Sequence, residues 1–126
     1  MLYIEDNPAN QRLMHRILGS RPGWEIIDAT DAETGIALAM THRPDVIMMD
    51  IGLPGMDGYA ALECLRADQN TAGIPVVALS ANAMPDDIRK GVAAGFDEYL
   101  TKPLDVPNFL SILDKVLATG KGHEHE

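Results

Sequence analysis

The sequence predicts an α/β fold in which five helices cover both faces of a five-stranded parallel sheet, and three observations carry that expectation. Short apolar runs alternate with longer stretches whose apolar residues recur at helical spacing. Turn residues such as Arg43-Pro44, Leu53-Pro54-Gly55 and Gly95 separate the two kinds of segment. The resulting order is strand then helix, five times over, and right-handed crossovers then require parallel strands with helices on both faces.

The central strand is the clearest element. Val46, Ile47, Met48 and Met49 form a run too short for an ordinary helix and too apolar for a half-exposed strand. Asp50 ends it at the edge where ligands of open α/β sheets bind, and Leu53-Pro54-Gly55 turns the chain away. Leu2-Tyr3-Ile4, ending in Glu5-Asp6, repeats the pattern and is expected to be the first strand. Met1 arrives abruptly before it, as expected where a sequence has been cut from a longer one. Asn7 is an N-cap with Pro8 at the first helical position, and Leu13, Met14, Ile17 and Leu18 follow at helical spacing until Gly19.

Trp24-Glu25-Ile26-Ile27 reads as an edge strand, and Thr30-Asp31-Ala32-Glu33 as a capping box for a second helix through about His42. Asp57 is expected to cap a third helix on which Tyr59, Leu62 and Leu65 share a face, fading near Asp68. Ile74 to Ser80 is the fourth strand, with Pro75 tolerated near its start. Pro85, Asp86 and Asp87 suit the first turn of a fourth helix, Ile88 and Val92 lie four apart on it, and Gly95 stops it. Phe96 to Leu100 makes a short fifth strand. After Thr101-Lys102-Pro103, Phe109, Ile112, Leu113, Val116 and Leu117 mark a last helix ending at Gly120. Residues 1–120 therefore form one domain, and 121–126, KGHEHE, an untethered polar tail in which two histidines are not read as a metal site.

Composition narrows the function classes. Hydrophobic residues make up 46% of the 126 residues and charged residues 23%, a globular balance. No apolar run is long enough to span a membrane and no signal peptide is visible, so a cytoplasmic protein is expected. A formal net charge of −9 opposes a phosphate backbone, which argues against direct nucleic-acid binding. Cys64, alone of its type, cannot form an internal disulfide and is expected to be a core or half-buried hydrophobe.

Several strand ends carry polar or charged groups: Glu5 and Asp6, then Asp50, then Ser80, with Lys102 after the fifth strand. In a parallel sheet these ends share one rim. Each residue alone reads as a solvated turn acid or surface lysine, but their agreement across strands points to a site. Clustered carboxylates repel unless a cation is present, and hard oxygen ligands with room for water favour magnesium.

YIEDN, MMDIGLPGMDG, ALSAN and YLTKP, in that order and spacing, resemble the receiver domains of two-component response regulators across essentially the whole chain. The wording EDNPAN with ALSANAM is most similar to receivers of hybrid sensor histidine kinases, with a stand-alone response regulator as the near alternative. The resemblance implies the flavodoxin-like receiver fold with strand order 2-1-3-4-5. It implies Asp50 as phosphoacceptor, taking a phosphoryl group from a phosphohistidine on a histidine kinase domain or histidine phosphotransfer protein. Asp6, Asp50 and the main-chain carbonyl of Gly52 would hold Mg2+, with Glu5 nearby or acting through water. Ser80 and Lys102 would contact phosphoryl oxygens, and Ser80 with Tyr99 would form a switch acting on the surface of the fourth helix, fifth strand and fifth helix, also a homodimer surface.

The resemblance further implies a cis Lys102–Pro103 bond, and an influence of Gly52 and Asn82 on phosphoryl lifetime. The expected role is a signalling domain that assists its own magnesium-dependent transfer, not a turnover enzyme. A carboxylate nucleophile beside cations suits phosphoryl transfer independently of the family name. Two rivals are weaker. A haloacid-dehalogenase-like phosphotransferase would carry a second acid where Asp50-Ile51-Gly52 has none. A flavodoxin-like flavin module would need a phosphate loop where Glu5-Asp6-Asn7-Pro8 would repel phosphate.

Overall fold

The computed structural model describes residues 1–19, 21, 23–51, 58–81, 84–102 and 104–124, with side chains to residue 118. Five strands, β1 (Leu2–Ile4), β2 (Ile27–Ala29), β3 (Ile47–Asp50), β4 (Val76–Ser80) and β5 (Glu98–Thr101), form one sheet in the order β2-β1-β3-β4-β5. All four pairings are parallel. Helices α1 (Pro8–Gly19), α2 (Ala32–His42), α3 (Gly58–Ala67), α4 (Pro85–Ala94) and α5 (Val106–Glu124) alternate with them. The expected fold class and strand order are both present.

Strand alternation divides the core into two layers. Leu2, Ile4, Ile47, Met49, Val76 and Ala78 pack on the side of α2 and α3, with Leu62, Leu65 and Phe96. Tyr3, Met48, Val77, Leu79 and Leu100 face the other way, against Met14 and Leu18 of α1 and Phe109, Leu113 and Val116 of α5. Both faces of the central strands are thus closed, which is why those strands read as unbroken apolar runs.

Local chemistry sets the helix ends. Asn7 Oδ1 accepts the Ala9 N–H at 2.8 Å, and Asp31 accepts the Thr34 N–H at 2.7 Å. The cap of α2 is therefore Asp31 itself, one residue later than a box opened by Thr30. Arg43 ends α2 with φ 46°, a left-handed conformation that costs a non-glycine residue roughly 1–2 kcal/mol. Its guanidinium donates to Asn70 Oδ1 at 2.8 Å. Gly95 takes the same left-handed role after α4, at φ 113°.

Several expectations shift. β2 begins at Ile27, the last residue of the expected edge strand Trp24-Glu25-Ile26-Ile27, because β1 is three residues long and pairs Leu2 with Ile27. β3 includes Asp50, which pairs with Leu79, so Asp50 closes the ladder instead of following it. β5 starts at Glu98, and Phe96 is buried ahead of it. Leu13 and Val92 are exposed, since the faces α1 and α4 turn to the sheet are narrower than their apolar spacing suggested. Cys64 is also exposed, beside Ala61 on α3 but outside the buried stripe of Ala61, Leu62 and Leu65. α5 continues past Gly120 to Glu124, so the backbone of 121–124 extends the helix through two glycines, Gly120 and Gly122, each at a cost of about 1 kcal/mol. The proposed cap Asp57 lies outside the described residues. Among the described residues no helix is long and apolar enough to cross a membrane.

One side chain ties the lower sheet edge together. Arg66 of α3 donates to the carbonyls of Ala72 and Ile74 at 3.0 and 2.7 Å, to that of Gly95 at 3.1 Å, and to Asp97 Oδ2 at 2.8 Å. Asp97 in turn accepts the Val76 N–H at 2.7 Å. The start of β4 and the turn before β5 are therefore fixed to α3 by charge-assisted hydrogen bonds.

Candidate functional site

Register brings the site together. Ile4 pairs with Met49, Asp50 with Leu79 and Ser80 with Thr101, so Glu5, Asp50, Ser80 and Lys102 all fall at the carboxyl edge of neighbouring strands. The main chain extends this alignment beyond the ladder: Lys102 N–H donates to the Ser80 carbonyl at 2.8 Å, and Ile51 N–H to that of Leu79 at 3.1 Å.

Side chains converge at one corner of the rim. Carboxylate oxygens of Glu5, Asp6 and Asp50 lie within 4.8 Å of one another. Lys102 Nζ donates to Asp50 Oδ2 at 2.8 Å and to Glu5 Oε2 at 3.4 Å. Asp6 is exposed, Asp50 is almost buried and Glu5 is 1% exposed. Three acids facing one ammonium leave the corner short of positive charge, and at about 4 Å a pair of unit charges near a surface interacts by about 4 kcal/mol. The donor set is all oxygen, and Asp6 opens it to solvent. These residues fit a hard divalent cation that keeps part of its water shell.

The electrostatics register this crowding. Burial pushes the Glu5 carboxyl above its usual range, and a hydrogen bond with Asp50 adds to the rise, while Asn10 and Lys102 pull the other way. Burial lowers the Lys102 ammonium, but its hydrogen bond to Asp50 and the charges of Asp50 and Glu5 outweigh that and leave it raised. Lys102 is therefore a fixed positive charge at neutral pH. Burial likewise raises the phenol of Tyr3, which sits beneath the acids, and Glu5 and Asp50 reinforce the effect.

The remaining predicted residues divide. Ser80 is buried at the end of β4 on the same edge. Tyr99 is not at the rim. It pairs with Ala78 in the middle of the ladder, and its ring lies on α4 at Gly91, where an added Cβ would collide with Cδ2. Gly52, Asn82 and Pro103 lie outside the described residues.

The sequence reading missed a polar clamp on Glu5. Asn10 Nδ2 donates to Glu5 Oε1 at 3.0 Å, the Asn7 N–H approaches the same oxygen at 3.3 Å, and Gln11 Nε2 donates to the Glu5 main-chain carbonyl at 2.7 Å. The signal was present in Asn7-Pro8-Ala9-Asn10-Gln11. A helix beginning at Pro8 points its first-turn amides back at the strand end it has just left.

An open parallel sheet with acids and a lysine at its carboxyl edge defines a phosphoryl- or metal-handling α/β protein. Comparison with known families is specific: residues 1–114 match the response regulator receiver domain, and the chain belongs to that family. It is 40% identical over 111 residues to the DNA-binding dual master transcriptional regulator RpaA of Synechocystis sp., covering 88% of this chain and 46% of that protein. Protein PilH of Pseudomonas aeruginosa is 33% identical over 118 residues, covering 94% of this chain and 97% of PilH. Among solved structures, the receiver domain of the sensor histidine kinase PA1611 of Pseudomonas aeruginosa PAO1 superimposes with a TM-score of 0.83 at 35% identity, covering 93% of this chain and 95% of that one. That structure holds a magnesium ion in its active site cleft. The chain is thus a phosphoacceptor receiver domain of two-component signalling, and the haloacid-dehalogenase reading is not favoured.

Proposed function

We propose that Asp50 is the phosphoacceptor and that it draws its phosphoryl group from a phosphohistidine on a histidine kinase domain or histidine phosphotransfer protein. The observation that carries this reading is Lys102 Nζ at 2.8 Å from Asp50 Oδ2, within the corner formed by Glu5 and Asp6. An oxygen of Asp50 forms the new P–O bond as the P–N bond breaks, and the electron pair returns to the imidazole nitrogen. Lys102, already charged and oriented, then exchanges part of its contact with Asp50 for a phosphoryl oxygen. Ser80 is the second contact.

Asp6, Asp50 and the carbonyl of Gly52 are the proposed holders of Mg2+, with Glu5 acting nearby or through water. Bound there, the ion supplies positive charge to the transferring phosphoryl oxygens. The acyl phosphate adds roughly one to two negative charges to an acidic corner, by analogy with other phosphorylated side chains. Ser80 moves toward it, Tyr99 leaves its seat on Gly91, and the surface of α4, β5 and α5 changes its preferred partners, including a second copy of the chain. In this reading the domain works in the cytoplasm and assists its own phosphorylation and dephosphorylation without acting as a turnover enzyme.

Intact-mass spectrometry with acetyl phosphate tests the chemistry. With Mg2+ the protein gains one phosphoryl group, and with chelator it gains none. Equal labelling in chelator would remove the cation from the reading, and no labelling in either condition would remove the reading itself.

A further inference from the structure

Glu5 has more protein hydrogen bonds than a loosely held, solvent-bridged acid needs. Its two oxygens are divided between different partners. Oε1 takes the Asn10 amide at 3.0 Å and the Asn7 N–H at 3.3 Å, both from the start of α1, whereas Oε2 faces Lys102 at 3.4 Å. Gln11 fixes the backbone of the same residue through its carbonyl. Because Glu5 is 1% exposed, water cannot substitute freely for these donors.

Asn10 is the one side-chain donor to Oε1 among the described residues, and the Asn7 N–H alone is the longer contact. Without Asn10, the Glu5 carboxylate keeps only the longer contacts to the Asn7 N–H and Lys102, and its orientation beside Asp50 is less firmly set. With Asn10 in place, Oε1 is anchored to the start of α1 while Oε2 faces Lys102.

We propose that Asn10 is a positioning residue of the phosphorylation site: it acts through Glu5, holding that carboxylate in the orientation that leaves a divalent cation room between Asp6 and Asp50. This inference rests on the proposed Mg2+ site. Partners behind a ligating or ligand-adjacent carboxylate typically change metal affinity by about 10- to 100-fold when removed. Because Glu5 sits at the ligand set's margin, the effect expected here is about tenfold.

The test is isothermal titration of Mg2+ into the unphosphorylated protein. Wild type is compared with Asn10→Leu, which keeps the size but loses the donor, and with Asn10→Ser, a smaller change should Asn10→Leu fold poorly. The same substitutions are then made in a Glu5→Gln background. Asn10→Leu and Asn10→Ser are expected to weaken Mg2+ binding by about tenfold in the Glu5 protein and by less than about twofold after Glu5→Gln, because the carboxylate through which Asn10 acts has gone. Equal Mg2+ affinity in wild type and both Asn10 variants overturns the inference. So does the same loss in both backgrounds, which would make Asn10 a merely structural residue. Failure of wild type to bind Mg2+ would instead overturn the metal site on which the inference rests.

Discussion

Lys102 Nζ lies 2.8 Å from Asp50 Oδ2 and 3.4 Å from Glu5 Oε2, so one ammonium is shared by carboxylates at the ends of two neighbouring strands. In the metal-free protein it is the compensating charge of the corner. Lys102→Met keeps the stem and removes the charge, leaving both acids without it. The substitution is expected to destabilise the metal-free fold by about 2 kcal/mol. Urea unfolding in chelator measures this, and an unchanged midpoint would show that Lys102 is not the counter-charge.

Removing an acid has the opposite sign. Asp50→Asn preserves shape and leaves Lys102 with Glu5 as partner, so the variant sheds repulsion without stranding the ammonium. It is expected to melt above wild type in chelator. Saturating Mg2+ stabilises wild type by roughly 2.7 kcal/mol at a hundred times its dissociation constant, and Asp50→Asn by less. If the variant melts lower without metal and gains as much from Mg2+, these acids do not share one site.

Gly91 admits the ring of Tyr99 to the surface of α4. Ala is a better helix former by about 1 kcal/mol, yet the collision with Cδ2 is expected to cost about 1–3 kcal/mol. Gly91→Ala should therefore lower the melting temperature and displace Tyr99 without phosphorylation, shifting amide signals in α4 and β5. A more stable variant with unmoved Tyr99 ring signals would contradict the packing.

The cap of α2 predicts a pH dependence. The hydrogen bond from the Thr34 N–H holds the Asp31 carboxyl below its unfolded value of 3.8. A carboxyl depressed in the folded state contributes stability that is present above 3.8 and lost as pH falls through the lower folded value. Asp31→Ala should thus melt below wild type at neutral pH, the gap narrowing as pH drops under 3.8. Melts at neutral and strongly acidic pH check this; a gap that widens in acid has the wrong sign.

Much of this architecture was legible in the residues because its causes are local. The apolar runs around Met48 and Val77 are readable since both faces of those strands are buried, and Asn7-Pro8 and Gly95 are readable since capping uses a few residue types. The start of β2 was not legible: Trp24 and Ile26 pack against the core outside the ladder, and only the register with β1 decides where pairing begins. The rim acids could be listed from strand ends, but the division of Glu5 between Asn10 and Lys102 depends on how α1 leaves β1. Tyr99 could be placed three residues before Lys102, whereas its seat on Gly91 needs the packing of α4.

The reading of this site stands or falls on whether the phosphoryl group resides on Asp50. Its most direct test is tandem mass spectrometry of the protein after acetyl phosphate and Mg2+, alongside Asp50→Asn under the same conditions. A single phosphoryl group is expected on the peptide containing Asp50 in wild type and none in Asp50→Asn. Equal labelling of the two proteins, or a phosphoryl group mapped to Glu5, Asp6 or Ser80 in wild type, would contradict it.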